Sequence, residues 1–206
     1  TDPPYGIGAP SQAATPHQRK KGMNRLNSGS GKLKGRVLNN SNTSWDENIP
    51  SDEYFYELFR ISKNQIIWGG NYFGLPATRC VICWDKMQPW ENFSQIELAW
   101  TSFDKPAQLY KFDNRTGDKI HPTQKPVALY KWLLKNYAKE GDKIFDSHGG
   151  SLSIAIACGE MGYDLDACEL DVDYFKDSVA RVQRHFTQSN AFMKTPEILV
   201  NPLFGK

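Results

Sequence analysis

The residues with the clearest chemical logic stand at the head of the sequence, Asp2-Pro3-Pro4-Tyr5. An exocyclic amino group on a nucleobase is a poor nucleophile, because its lone pair is delocalised into the ring. The Asp2 carboxylate and the Pro3 backbone carbonyl form an acceptor pair for the two N–H groups of such an amine. That pairing favours a tetrahedral nitrogen with its lone pair aimed at a methyl donor. Pro3 and Pro4 stiffen the backbone that aims the carbonyl. Tyr5 offers a face on which a base swung out of a duplex can stack, worth roughly 1–3 kcal/mol. Taken alone, the tetrapeptide is also compatible with an ordinary turn.

A second constellation lies in the C-terminal half. Asp146-Ser147-His148-Gly149-Gly150-Ser151 is a Gly-rich turn between a short apolar segment and a helix-like one. Glycines there allow close backbone approach to a ligand and tolerate positive φ. Glu169 stands 23 residues past Asp146, where an acid can accept hydrogen bonds from the two hydroxyls of a ribose. The turn is not a G-x-G-x-x-G, since Leu152 occupies the place of a further Gly. A ligand without a pyrophosphate therefore fits better than a dinucleotide. A capped helix with a surface Glu explains the same residues structurally.

The elements that must position these groups follow from periodicity. Ser51 to Ile61 predicts a capped helix with Phe55, Leu58 and Phe59 on its apolar side. Gln65 to Trp68 predicts a buried strand stopped by Gly69-Gly70, and Thr78 to Trp84 a second. Ile96 to Phe103 and Leu109 to Phe112 are weaker strand candidates. Pro126 opens a helix that carries Leu129, Leu133, Leu134 and Tyr137 and is ended by Gly141-Asp142. Lys143 to Asp146 is a strand, Leu152 to Met161 a helix stopped by Gly162, Leu165 to Leu170 a strand and Tyr174 to Phe186 a last helix. Strand, Gly-rich turn, helix, strand and acid make one βαβ unit of a doubly wound sheet.

Asp-Pro-Pro-Tyr, an aromatic-rich middle, His121-Pro122-Thr123-Gln124-Lys125-Pro126, the Gly-rich turn and the acid occur here in that order. Jointly they resemble the amino-methylating DNA methyltransferases of the permuted β class, over nearly the whole chain. The resemblance implies an α/β, Rossmann-like, S-adenosylmethionine-dependent fold, with a mostly parallel twisted sheet flanked by helices. It implies Asp2, Pro3, Pro4 and Tyr5 as the catalytic tetrapeptide. It implies Asp146, His148, Gly150, Ser151, Ser153 and Glu169 as cofactor-binding, with Thr123 and Lys125 at the cofactor's methionine end. Adenine N6 is the expected acceptor because Asp leads the tetrapeptide, with cytosine N4, or an inactive nucleic-acid-binding relative of the fold, as alternatives. Departures from the family pattern are Leu152, in place of a common Gly, and His148, in the usual aromatic position. The family's strand leading into Asp2 is absent from these residues, so weak or no activity is expected of them in isolation.

The organisation expected is one domain over 1–206. Within it 1–5 is the catalytic motif, 6–44 a basic mobile loop, and 45–118 the central catalytic half with possible target recognition. Residues 119–188 form the cofactor half and 189–206 a tail. The formal net charge of +2 hides an asymmetry: residues 1–40 carry +6 and the remainder −4. Arg19, Lys20, Lys21, Arg25, Lys32, Lys34 and Arg36 are the candidate DNA-phosphate contacts, which supply affinity rather than sequence reading. Trp68-Gly69-Gly70-Asn71-Tyr72-Phe73 is a candidate wall of the base pocket or an ordinary strand–loop junction, and Trp84-Asp85-Lys86 after the next strand has the same two readings. Cys80 and Cys83 have C-x-x-C spacing inside a strand, where their side chains diverge, so no metal site is expected. Four cysteines without a dense framework and no long apolar run predict a cytoplasmic protein, and the family resemblance implies a bacterial or phage origin. The expected partner is double-stranded DNA, with a restriction endonuclease as a possible second, and the protein is a monomer or homodimer.

Overall fold

The computed structural model describes residues 1–8, 45–88, 94–114, 119–121 and 123–188. The candidate DNA contacts between Arg19 and Arg36 lie outside these residues, as does the 189–206 tail.

Helix α1 (Asp52–Ile61) begins after Ser51, whose side chain makes no capping bond; Asp52 and Glu53 in the first turn and Arg60 in the last complement the helix dipole. Strand β1 (Ile66–Trp68) sends Ile67 towards α1 and Trp68 to the opposite side, as the period of two requires. A single 3-10 turn (Gly70–Tyr72) follows. Strands β2 (Val81–Asp85), β3 (Ile96–Thr101) and β4 (Gln108–Lys111) complete a sheet in the order β1-β3-β2-β4. Helix α2 (Val127–Tyr137) lays Leu129, Leu133 and Tyr137 on the sheet's other face, against Trp68, Ile82, Trp84 and Ala99.

Strand β5 (Lys143–Asp146), helix α3 (Ser153–Met161), strand β6 (Asp164–Ala167) and helix α4 (Val172–Gln188) form the expected βαβ unit and its following helix. β5 and β6 pair in parallel. Ile144 and Leu165 pack on Ile154, Ala157 and Cys158 of α3, while Leu152 and Ile156 pack on Val182 and Phe186 of α4.

The expectation of a mostly parallel sheet needs correction. β3 is antiparallel to both β1 and β2, and among the described residues only the β2–β4 and β5–β6 pairs are parallel. Residues 86–95 join β2 to β3, too short a connection for a helical crossover and long enough for an antiparallel return. Two boundaries also differ. α2 stops at Tyr137, four residues before Gly141, because Ala138 turns extended and Asp142 closes a turn on the Lys139 N–H at 2.8 Å. β6 stops at Ala167, opposite Asp146 at the end of β5.

Among the described residues the two sheets share no ladder with each other. Thr1 stands between them: its nitrogen donates to Ile66 O and its carbonyl accepts from Trp68 N–H, both at 3.0 Å. This is the bonding of a parallel neighbour to β1. Its hydroxyl lies 2.8 Å from Ser147 Oγ, just past the end of β5. Gly69 and Ser147 follow the carboxyl ends of β1 and β5, and the Thr1 bonds bring Asp2 to that edge, where α/β sheets bind ligands.

Candidate active site

The tetrapeptide is held from several directions. Asp46, almost fully buried, accepts from the Tyr5 N–H at 2.6 Å and the Gly6 N–H at 3.1 Å. Pro3 is fully buried. The Tyr5 hydroxyl donates to Asp2 Oδ1 at 2.6 Å, and its ring stacks on Tyr72 at 4.9 Å with planes 17° apart. Burial first, then the charges of Asp2 and Glu97, push the Tyr5 phenol well above its ordinary range, so it stays a neutral donor.

Gly69 is where the turn requires glycine. Its φ is +70°, and an added Cβ would lie 2.1 Å from Tyr5 Cε1. The backbone following β1 is therefore the floor beneath the Tyr5 ring.

The second carboxylate oxygen of Asp2 meets a buried ionic chain. Lys125 Nζ lies 2.5 Å from Asp2 Oδ2 and 2.8 Å from Glu97 Oε2, and Glu97 Oε1 lies 2.5 Å from Lys86 Nζ. The Lys125 ammonium also sits 5.0 Å from the Trp68 ring centroid. Burial would lower the Lys125 pKa, but Asp2 and Glu97 outweigh it and raise it. Burial would raise the Glu97 carboxyl, but Lys125 and Lys86 outweigh it and hold it low. Alternating charges thus compensate one another inside the fold. The sequence assigned Lys125 towards the cofactor; its ammonium faces Asp2 and Glu97.

Around the Gly-rich turn, Asp146 is buried and its Oδ1 accepts from the His148 N–H at 3.2 Å. His148 Nδ1 sits within 3.1–3.2 Å of the Ser147 and Thr1 hydroxyls, and its ring meets Tyr54 edge-on. Burial lowers its pKa, with Asp146 opposing, so the ring is neutral at pH 7. The Gly149 N–H donates to Cys168 O at 2.7 Å and the Gly150 N–H to Glu169 Oε2 at 2.7 Å. Both are therefore engaged within the protein, unlike the free N–H groups of a phosphate cradle. Glu169 Oε1 accepts from Asp171 N–H at 2.9 Å. A carboxylate has about four acceptor positions, so Glu169 retains capacity for further donors. Gly150 has φ +52° and an added Cβ there meets nothing within 4 Å. Leu152 adopts φ +51°, the left-handed conformation that Gly takes at no cost, and buries its side chain against α4.

Ser151 and Ser153 hydroxyls lie 3.1 Å apart, and Arg181 of α4 donates to Ser151 O at 2.9 Å. Thr123 hydrogen-bonds His121 Nδ1 through its N–H and lies 3.1 Å from it by its hydroxyl. His121 is itself wedged between Trp45 and Tyr174. Of the sequence-predicted residues, Asp2, Tyr5, Lys125, Asp146 and His148 come together at one edge; Ser151, Ser153 and Glu169 surround the neighbouring turn.

Sequence reasoning missed Asp46, Tyr54, Glu97, Tyr130 and Arg181, while Lys86 stood in the candidate wall segment Trp84-Asp85-Lys86. Glu97 carried a signal, a charge inside the otherwise apolar run Ile96-Glu97-Leu98-Ala99-Trp100. Tyr130 had none, since a tyrosine on a helix's apolar side reads as core. Its phenol is raised well above the ordinary value by burial, then by Asp146, Asp2 and Glu97.

This architecture is an α/β fold shared with a solved protein, the crystal structure titled M1.HpyAVI–SAM complex. The TM-score is 0.52 at 18% identity, over 66% of this chain and 84% of that one. The model of the N6/N4 DNA methylases matches residues 67–180, more than half of the sequence, and the chain belongs to this DNA methylase family. It is similar to the type II methyltransferase M2.DpnII of Streptococcus pneumoniae, 25% identical over 72% of this chain and 52% of that protein. It is also similar to M2.LlaDCHI of Lactococcus lactis subsp. cremoris, 23% identical over 74% and 53% respectively. The chain spans about half the length of these relatives. No helix among the described residues is long and apolar enough to cross a membrane.

Proposed function

We propose that this protein transfers a methyl group from S-adenosylmethionine to an exocyclic amino nitrogen in double-stranded DNA, with adenine N6 the acceptor. The observation that carries the reading is the Thr1 bridge, which brings Asp2 of the tetrapeptide beside the turn after β5. Adenine is preferred over cytosine because Asp leads the tetrapeptide.

The turn suits a ligand without phosphates, because Gly149 and Gly150 N–H groups are already engaged and the space over Gly150 is open. Glu169 would accept from ribose hydroxyls, and Asp146, His148, Gly150, Ser151, Ser153 and Thr123 would line the remainder. When bound, S-adenosylmethionine supplies an electrophilic methyl on a sulfonium. Asp2 would accept one N–H of the target amine and the Pro3 carbonyl the other, which localises the nitrogen lone pair. Tyr5 holds Asp2 by its hydroxyl, and its stack on Tyr72 extends an aromatic wall against which the base rests. The basic residues from Arg19 to Arg36 would contact phosphates. Similarity to proteins named type II methyltransferases supports a restriction endonuclease of the same target as a candidate partner.

Calorimetry with S-adenosylmethionine and mass spectrometry of nucleosides from methylated DNA test the reading. Binding with N6-methyladenine formed supports it. N4-methylcytosine would move the acceptor, and absence of both cofactor heat and product would make the chain an inactive relative.

A further inference from the structure

Asp2 does not stand alone, and the group that fixes it is itself fixed by an acid of β3. Lys125 Nζ reaches Asp2 Oδ2 at 2.5 Å and Glu97 Oε2 at 2.8 Å, with the lysine side chain 2% exposed. Glu97 is the second residue of β3, opposite Trp84 of β2, and Lys86 just beyond β2 engages its other oxygen at 2.5 Å. Four charges of alternating sign, Asp2, Lys125, Glu97 and Lys86, thus run from the rigid sheet to the reacting edge. A buried ion pair is weak as a source of stability, because desolvation offsets much of the Coulomb attraction. A chain of them instead specifies geometry: a lysine held between one oxygen of each of two acids has one place for its ammonium.

Resting on the methyl-transfer reading above, we infer that Glu97 is a positioning residue for the reaction, acting on the Asp2 carboxylate through the Lys125 ammonium, with Lys86 fixing Glu97. Lys125 keeps its proton in this role. The groups facing that ammonium are Asp2 from the tetrapeptide loop and Glu97 from β3, and the Tyr5 and Tyr130 phenols interact with these two acids. Lys86 after β2 and His121 before α2 complete the surroundings. Asp2 and Glu97 raise the lysine's pKa against burial, which lowers it. Removing the Glu97 charge leaves burial with one opponent, so the lysine loses its proton at lower pH.

The test is Glu97→Gln, compared with Glu97→Asp and the wild type, by three readings. Turnover of Glu97→Gln falls about 10–100-fold, the scale of an ångström-sized misplacement, while calorimetric affinity for S-adenosylmethionine stays within threefold. The alkaline limb of its kcat profile moves down by about one pH unit or more, and Glu97→Asp returns the limb towards the wild-type position. Nitrogen-15 NMR of the Lys125 ammonium reports the same downward shift with no turnover needed. Should Glu97→Gln fail to fold, Glu97→Asp carries the comparison by a smaller shift of the same sign. A Lys125 titration identical in wild type and the variants overturns the inference. So does a folded Glu97→Gln with wild-type turnover and limb. A wild-type protein that methylates no base, with the NMR shift present, overturns only the functional reading.

Discussion

Changing Gly69 to alanine puts a methyl group where the Tyr5 ring now lies. An added Cβ would sit 2.1 Å from Tyr5 Cε1 and 2.4 Å from Cδ1, against an ordinary carbon–carbon approach of about 3.5 Å. The ring must therefore retreat by about 1.4 Å, since the other party is backbone. Holding alanine at φ +70° adds roughly 1–2 kcal/mol of backbone cost. Displacing the ring weakens the stack on Tyr72, worth about 0.5–1.5 kcal/mol. It also weakens the hydrogen bond to the Asp2 carboxylate, worth about 1.5–3 kcal/mol. With partial relaxation the expected loss of stability is about 3 kcal/mol, read as a lowered urea midpoint with unchanged slope. Because Tyr5 aims Asp2, the effect on chemistry is larger in kind: kcat on DNA falls about 100-fold. Affinity for S-adenosylmethionine changes less than threefold, since Glu169 and the turn after β5 do not touch Gly69. A stable Gly69→Ala protein with wild-type turnover would refute the coupling of Gly69, Tyr5 and Asp2.

Three further outcomes follow from the same geometry. Glu169→Ala leaves the Gly150 and Asp171 N–H groups without their carboxylate partner. Calorimetric affinity for S-adenosylmethionine is expected to fall about 10–100-fold, at roughly 1.5–3 kcal/mol for a charged acceptor, with DNA affinity by gel shift unchanged. His121 is buried with its pKa lowered from 6.5 to about 4, by burial first, with Asp2 opposing. Between those values the unfolded chain holds more protons than the folded one, so stability falls as the pH drops from 6.5 towards 4. The loss reaches at most about 3 kcal/mol, and urea midpoints of His121→Gln should show a shallower decline over that window. Changing Lys20, Lys21 and Lys34 together to alanine is expected to reduce the salt dependence of DNA binding by a slope of about 2–3. An unchanged slope would remove the 19–36 segment from the DNA contact.

Much of the framework was legible because its signals are local. Gly162 at φ +76° ends α3 where the sequence placed the stop, and the period of two sends Ile67 and Trp68 to opposite faces. Pairing direction was not legible, because alternation along β3 is the same whether its neighbours run parallel or antiparallel. The turn at Gly141 misplaced the end of α2, since Asp142 can close a turn on Lys139 beyond a helix that has already stopped. At the site, the tetrapeptide, the Gly-rich turn and the acid were each visible as spacing. The ionic chain was not: the Lys125–Asp2 bond spans 123 positions, and no pattern in sequence announces a contact at that range. Leu152 reads in sequence as a weakened motif. In the fold it accepts the left-handed conformation and recovers burial against Val182 and Phe186.

The most direct measurement is mass spectrometry of nucleosides from DNA of cells expressing the full-length protein, alongside its Asp2→Asn variant. The expected result is N6-methyladenine with the wild type and its loss by at least about 100-fold in the variant, with the variant still folded and binding S-adenosylmethionine. An unmodified DNA with the wild type, or a variant that methylates as well as the wild type, would contradict the assignment of Asp2 and its loop to methyl transfer.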